Sequence, residues 1–208
     1  MMSLILALLS AASLSIDPVS TAIESYNNIE TYQVTLKSRS SASSEIIRYY
    51  YKKPGFIRME FIKPHKGAVL VYDPFKKEVK LRPFPFLKIF VLTLNPDNKL
   101  IKSAKGHMVD ASDIGALLKT VKMLQERGET EILGDSNVEG WPAMLVSVKG
   151  KGDFTVDDNI HNYLLWFDKT TLLPIKASAY DMKGELVEEV LMNDLEINVE
   201  FAEGFFEL

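Results

Sequence analysis

The residue types that most often do chemistry are few in this chain and poorly spaced for it. His65, His107 and His161 lie far apart and form none of the paired spacings that aim two imidazoles at one metal ion. There is no cysteine, which removes thiolate ligands, cysteine nucleophiles, disulfides and a lipid-modified N-terminal cysteine. No serine sits in a Gly-x-Ser-x-Gly turn, and no glycine-rich loop ends in Gly-Lys-Ser or Gly-Lys-Thr. Asp153, Asp157 and Asp158 share one charged loop and suggest Ca²⁺, but the glycine and terminal glutamate of an EF-hand are missing. A solvated loop is the plainer reading. Glu188 and Glu189 are adjacent carboxylates of a kind common on strands, and nothing in the sequence ties them to a cleft. The expectation is therefore no catalytic residue, no metal and no cofactor.

The aromatic residues are richer. Tyr49, Tyr51, Phe61, Tyr72, Trp166, Phe167 and Tyr180 all fall in segments that read as strands. A curled antiparallel sheet has a concave face, and an apolar concave face that no helix fills becomes a ligand pocket. The bland alternative is a filled core.

The elements that would position these side chains follow from periodicity. Asp17-Pro18 predicts a helix start, with Asp17 as N-cap and an end near Asn27-Asn28. From Thr31 the period changes to two, and strands separated by Ser38 to Ser44, Lys53-Pro54-Gly55 and Pro64 to Gly67 predict an antiparallel meander. Ala68 to Tyr72 is apolar on both faces and predicts burial on both sides. The Phe- and Pro-rich stretch Leu81 to Leu94 predicts a loop leading to an edge strand, either covered or a mobile apolar flap. Ser112 to Arg127 is the clearest helix, with Ile114, Leu117, Leu118, Val121 and Leu124 on one face. Asp110 and Ser112 are its N-cap candidates, Asp113 suits the helix dipole, and Gly128 is the expected residue beyond its C-cap. The second half is again β: Thr130 to Leu133, a turn from Gly134 to Gly140, Trp141 to Val148, Asn162 to Phe167, Pro174 to Tyr180, Glu185 to Met192 and Leu195 to Val199.

The 208 residues have an ordinary globular balance, 47% hydrophobic and 25% charged, and can bury one full core. The net charge of -4 argues against a nucleic-acid partner. Met1 to Ser15 reads as a secretory signal peptide, an apolar run followed by small residues, although no Lys or Arg precedes the run. The alternative is a short buried helix. The run is too short to anchor permanently in a bilayer, and no later segment reaches the length of a span. Residues 16–208 are then one exported domain of the periplasm.

Three patterns resemble the LolA/LolB-like family of bacterial lipoprotein-localisation proteins. Lys53-Pro54-Gly55-Phe56-Ile57-Arg58-Met59-Glu60, followed by Pro64, is similar to that family's Pro-Gly turn and following strand. Val71-Tyr72-Asp73-Pro74-Phe75 is similar to its next strand and turn. Trp166-Phe167-Asp168 through Leu173-Pro174, with Asp181 to Gly184, resembles its late hairpin, and Gly204-Phe205-Phe206 its close. The resemblance implies an α+β fold, an open, incomplete antiparallel β-barrel of roughly ten to eleven strands with helices over its concave face. It also implies binding of lipid or lipoprotein acyl chains without catalysis, and a lid-holding role for Arg58. Segment Arg82 to Asp110 departs from the carrier pattern, whereas Ser112-Asp113-Ile114-Gly115 looks like the helix start of an uncharacterised LolA-like branch. The expected cavity-lining or lid residues are Tyr49, Tyr51, Arg58, Phe61, Tyr72, Leu117, Leu118, Val121, Trp166 and Tyr180.

Three functions are compatible with this reading. The first is a carrier that holds acyl chains, with a transient inner- or outer-membrane protein partner. The second is an envelope sensor or scaffold that binds a protein through Phe84 to Phe90. The third is an enzyme with a site assembled from distant strands.

Overall fold

A computed structural model of the chain describes residues 17–41, 43–87, 89–102, 108–157 and 159–208. The proposed signal segment, His107 and Asp158 lie outside the described residues.

Helix α1 (Pro18–Asn27) starts as its sequence requires. The Asp17 carboxylate accepts the Val19 amide at 3.1 Å, and Pro18 takes the first helical position, where no amide hydrogen is needed. Five strands follow as a meander: β1 (Thr31–Arg39), β2 (Ser44–Lys52), β3 (Phe56–Lys63), β4 (Val69–Asp73) and β5 (Glu78–Arg82). The short β6 (Leu92–Leu94) pairs with β5 beyond the Phe- and Pro-rich loop. A 3₁₀ turn (Val109–Ala111) leads to helix α2 (Ile114–Glu126). A second meander completes the chain: β7 (Gly128–Val138), β8 (Trp141–Gly150), β9 (Asn162–Asp168), β10 (Pro174–Tyr180) and β11 (Leu186–Ile197).

All eleven strands form one antiparallel sheet in the order β6-β5-β4-β3-β2-β1-β11-β10-β9-β8-β7. The two meanders join where β1 pairs with β11, from Tyr32 opposite Ile197 to Arg39 opposite Glu189. The edge strands β6 and β7 do not pair, so the barrel stays open. Edge strand β7 carries a bulge between Ile132 and Gly134 and the acidic residues Glu129, Glu131 and Asp135, devices that discourage edge-to-edge association.

Several local expectations needed correction. The N-cap of α2 is Asp113, whose carboxylate accepts the Ala116 amide at 3.1 Å; Asp110 belongs to the 3₁₀ turn, and Ser112 donates to the Val109 carbonyl instead. Gly128 follows the C-cap Arg127 as expected, but without the positive φ of a left-handed cap, and it is also the first residue of β7. A Cβ there would meet the Lys149 carbonyl oxygen at 2.1 Å, so glycine is needed for strand approach. The expected turn from Gly134 to Gly140 is mostly strand, because a bulge lets β7 continue to Val138. The two expected terminal strands are one, β11, which passes through Asp194 at positive φ.

Both faces of β4 are buried, as its composition requires. Leu70 faces the concave core, while Val71 lies on the outer face under the C-terminal segment with Phe201 and Phe205. That segment is a clasp of stacked and edge-on rings: Phe201 against Phe205 at 4.8 Å, and Phe205 against Tyr50 at 5.0 Å.

Candidate functional site

Period-two alternation divides every strand between two faces. Tyr32, Val34 and Leu36 of β1, Ile47 and Tyr49 of β2, and Met59 and Phe61 of β3 point to the concave side. Val190 and Met192 of β11 join them. The inward positions of β10 are the small residues Ala177 and Ala179. They leave room that larger side chains would fill. Helix α2 covers only part of this face. Its Leu118, Val121 and Leu124 pack into the continuous core with Val146 and Val148 of β8. Its Ile114, Leu117 and Thr120, one face by spacing, overlook the remaining space. The result is a mainly apolar cavity of about 730 Å³ between α2 and strands β1–β6 and β9–β11. That volume lies within the roughly 300–1,000 Å³ usual for ligand sites.

Helix α2 is fastened at both ends. At its start, the Tyr26 hydroxyl donates to Asp113 Oδ1 at 2.9 Å, and the Tyr32 hydroxyl accepts the Ile114 amide at 3.2 Å. Tyr49 and Ser112 hydroxyls lie 3.3 Å apart. Burial pushes the Tyr26, Tyr32 and Tyr49 hydroxyls well above the ordinary tyrosine range, aided by the nearby Asp113 charge, so they stay neutral. Gly115 permits this arrangement, because a Cβ there would stand 2.4 Å from Tyr26 Cε1. Further along, Lys122 Nζ donates to Asp17 Oδ2 at 3.0 Å, and Gln125 Nε2 donates to Asp17 Oδ1 at 2.8 Å. Burial pushes the Asp17 carboxyl up, but hydrogen bonds from Ser20, Gln125 and Lys122, with the Lys122 charge, outweigh it and hold the group well below the usual range.

One end of the cavity is polar. Glu45, His65, Asp157 and Glu188 all reach its wall. Burial raises the Glu45 carboxyl, the Glu188 charge raises it further, and His65 opposes both. Glu189, adjacent in sequence, faces the other way and pairs with Lys176 and Arg39. The two carboxylates thus belong to different environments. His161 is a structural residue, buried with Nδ1 at 3.0 Å from the Phe154 carbonyl. Among the described residues no group of three acidic or histidine side chains could hold a metal ion.

The expected site residues fall into three groups. Tyr49, Phe61 and Leu117 line the cavity. Tyr51, Tyr72, Leu118 and Val121 lie on the concave side but are built into the surrounding core, Tyr51 stacked 5.0 Å from Tyr32. Arg58, Trp166 and Tyr180 are not in the cavity wall. Arg58 is on the outer face of β3, where it pairs with Glu60 at 2.8 Å and donates to the Phe205 carbonyl at 2.9 Å. The lid-holding role implied for it has no counterpart here; it fastens the C-terminal clasp. Trp166 faces outward in a small separate cluster with Val138, Ala143 and Ile175, and Lys176 Nζ sits 4.5 Å from its ring centre. Tyr180 stands at the bulged end of β10, opposite Leu186. Sequence reasoning missed Tyr32, Leu36, Ala177 and Val190. Their alternation was legible, but which face curls inward was not.

Residues 90–206, more than half the chain, match the family model of the MucB/RseB N-terminal domain. The chain belongs to this family. No curated protein matches the sequence. Solved structures share the fold at low identity. MucB from Pseudomonas aeruginosa, in its MucA/MucB complex, matches with 18% identity and a TM-score of 0.53 over 92% of this chain and 60% of MucB. An uncharacterized conserved protein from Thermus thermophilus matches with 15% identity and a TM-score of 0.52, over 89% of this chain and 88% of its own. The Mycobacterium tuberculosis lipoprotein LppX matches with 6% identity and a TM-score of 0.53, over 89% and 95%. MucB and LppX thus share the fold of this chain.

Proposed function

We propose that this MucB/RseB-family domain is a periplasmic, non-catalytic carrier that holds acyl chains of a lipid or lipoprotein in the cavity under α2. The observation that carries this reading is the cavity itself, mainly apolar and about 730 Å³. Each buried methylene contributes about 0.8 kcal/mol, so ten of them supply about 8 kcal/mol before the cost of ordering the chain. The carboxylates Glu45 and Glu188 disfavour an anionic head group at the polar end. A head group would sit instead beside Lys102 and Met108, which also line the cavity. Helix α2 acts as the lid, held by the tyrosine hydroxyls and Asp113, and entry of a chain requires only that this end loosens.

The test is native mass spectrometry of protein purified from periplasm, combined with uptake of a fluorescent fatty acid. Bound lipid and saturable uptake are expected. Ala179→Phe should fill the cavity and abolish uptake while the fold survives. A clean lipid-free protein with no uptake, or an Ala179→Phe variant with undiminished uptake, would overturn the reading. A second reading, a sensor or scaffold for a protein partner, is favoured by the solved complex of MucB with MucA. Partner binding by a wild-type protein that takes up no lipid would select it.

A further inference from the structure

The outer face of β2–β5 is apolar where a face left to water would be polar. Strand register sets Tyr50 of β2, Arg58 of β3, Val71 of β4 and Lys80 of β5 side by side in one outward row. Phe56 opposes Lys52 in the next outward row. A sheet face left to solvent carries polar residues outward, so Tyr50, Phe56 and Val71 call for a cover. The C-terminal clasp supplies it, and Val71 beneath is 3% exposed.

The clasp is attached as a ligand is, not as a strand is. Sheet pairing ends at Ile197. The Asn198 amide donates to the Thr31 carbonyl at 2.6 Å, and the Val199 carbonyl accepts the Thr31 hydroxyl at 2.7 Å. Beyond Val199 the backbone bonds are internal, from the Phe205 amide to the Ala202 carbonyl and from the Glu207 amide to the Gly204 carbonyl. Side chains hold the rest to the sheet. Phe201 and Phe205 stand edge-on to Tyr50 at 6.0 and 5.0 Å, and Phe206 lies 6.0 Å from Phe56. Arg58 donates to the Phe205 carbonyl at 2.9 Å and stacks over its ring at 4.9 Å. Glu60, on the same strand, orients Arg58 at 2.8 Å, so this anchor is preset within the sheet itself.

Charge in this seat suits an acidic occupant. Lys76 pairs with Asp73 at 3.2 Å, and of the other charges on the sheet side of the groove Lys52 and Lys80 outnumber Glu78. The clasp brings Glu203 and Glu207 to the same groove. It does not fill its seat, because about 400 Å³ remains between it and β2–β5. Exchange of clasps between two copies would swap identical contacts and leave that space empty. A bulkier segment of the same pattern gains contacts there, which favours a different protein as the incoming chain.

We propose that this groove recognises acidic segments of a partner protein with the pattern Phe-x-x-x-Phe-Phe, and that Phe201, Phe205 and Phe206 are its exchangeable occupant. The proposal goes beyond the carrier reading and does not rest on it, because groove and cavity lie on opposite faces of the sheet. The probe is a fluorescent peptide with the sequence of residues 199–208, followed by anisotropy against the full chain. A clasp on a short tether competes at an effective concentration on the order of 1 mM. The wild type should therefore bind the peptide about ten- to a hundredfold more weakly than a full chain carrying Phe201→Ala, Phe205→Ala and Phe206→Ala. Adding Arg58→Ala to that variant should weaken binding about tenfold, the loss of one bond from a charged donor. A peptide with the same three alanines should not bind. If the triple variant lacks cooperative unfolding, Phe205→Ala alone replaces it and should bind more tightly than the wild type. Wild-type chain that ignores the peptide even at millimolar concentration, or equal affinity in the wild type and the clasp variants, overturns the proposal. A wild-type dimer in sedimentation that Phe205→Ala abolishes assigns the groove to a second copy of the chain, and overturns the partner assignment.

Discussion

Replacing Asp113 by alanine tests whether the start of α2 is a latch. Two bonds converge on Asp113 Oδ1, one from the Ala116 amide at 3.1 Å and one from the Tyr26 hydroxyl at 2.9 Å. Loss of an N-cap costs about 1 kcal/mol. Loss of a hydroxyl bond to a carboxylate costs about 1.5 kcal/mol at the lower end for charged acceptors, appropriate to a half-buried pair. Together Asp113→Ala should destabilise the domain by about 2–3 kcal/mol, or about 4–12 °C in Tm. Asparagine caps as well as aspartate, so Asp113→Asn should cost only about 1 kcal/mol, the loss of the charge on the tyrosine bond. Urea unfolding of the wild type, Asp113→Ala, Tyr26→Phe and the double variant forms a cycle. A coupling energy of about 1 kcal/mol is expected between the two positions. The loosened helix should also admit a fluorescent fatty acid faster. A cost for Asp113→Ala below about 0.5 kcal/mol, the level of a neutral surface change, would refute the latch, as would strict additivity in the cycle.

Three further outcomes follow from the same contacts. Gly115→Ala raises helix propensity by about 1 kcal/mol elsewhere, but here its Cβ meets Tyr26 Cε1 at 2.4 Å, so thermal unfolding should show a net loss of about 1–3 kcal/mol. Arg58→Ala removes the bond to the Phe205 carbonyl and a cation 4.9 Å above the Phe205 ring; limited proteolysis should cleave the C-terminal segment sooner while fatty-acid uptake stays unchanged. The Asp17 carboxyl is lowered in the folded state, so its contribution is complete above the unfolded value of 3.8 and is lost as pH falls below it. Denaturant titrations at successive pH values should show acid sensitivity that is reduced in Asp17→Asn.

The helices and most strand limits were legible because local chemistry sets them. Asp17-Pro18 caps α1 whatever the fold, and the alternation from Thr31 onward fixes a period of two. The double burial of Val69 to Tyr72 was also legible, since a strand apolar on both faces must be covered on both. Three boundaries were not. The bulge that carries β7 through Gly134, the merger of two segments into β11, and the strand role of Gly128 all depend on a neighbouring strand coming close.

The sequence by itself determined the composition of the site: tyrosines, small alanines and a helix with one apolar face. Tertiary structure alone decided which of them enclose space. Alternation divides residues into two sets but does not say which set the sheet curls around. That choice follows from β1 pairing with β11, a contact between the two ends of the chain, and from α2 leaving part of the concave face uncovered. It put Arg58 and Trp166 outside, Tyr51 and Val121 into packed core, and left Tyr49, Phe61 and Leu117 around the cavity.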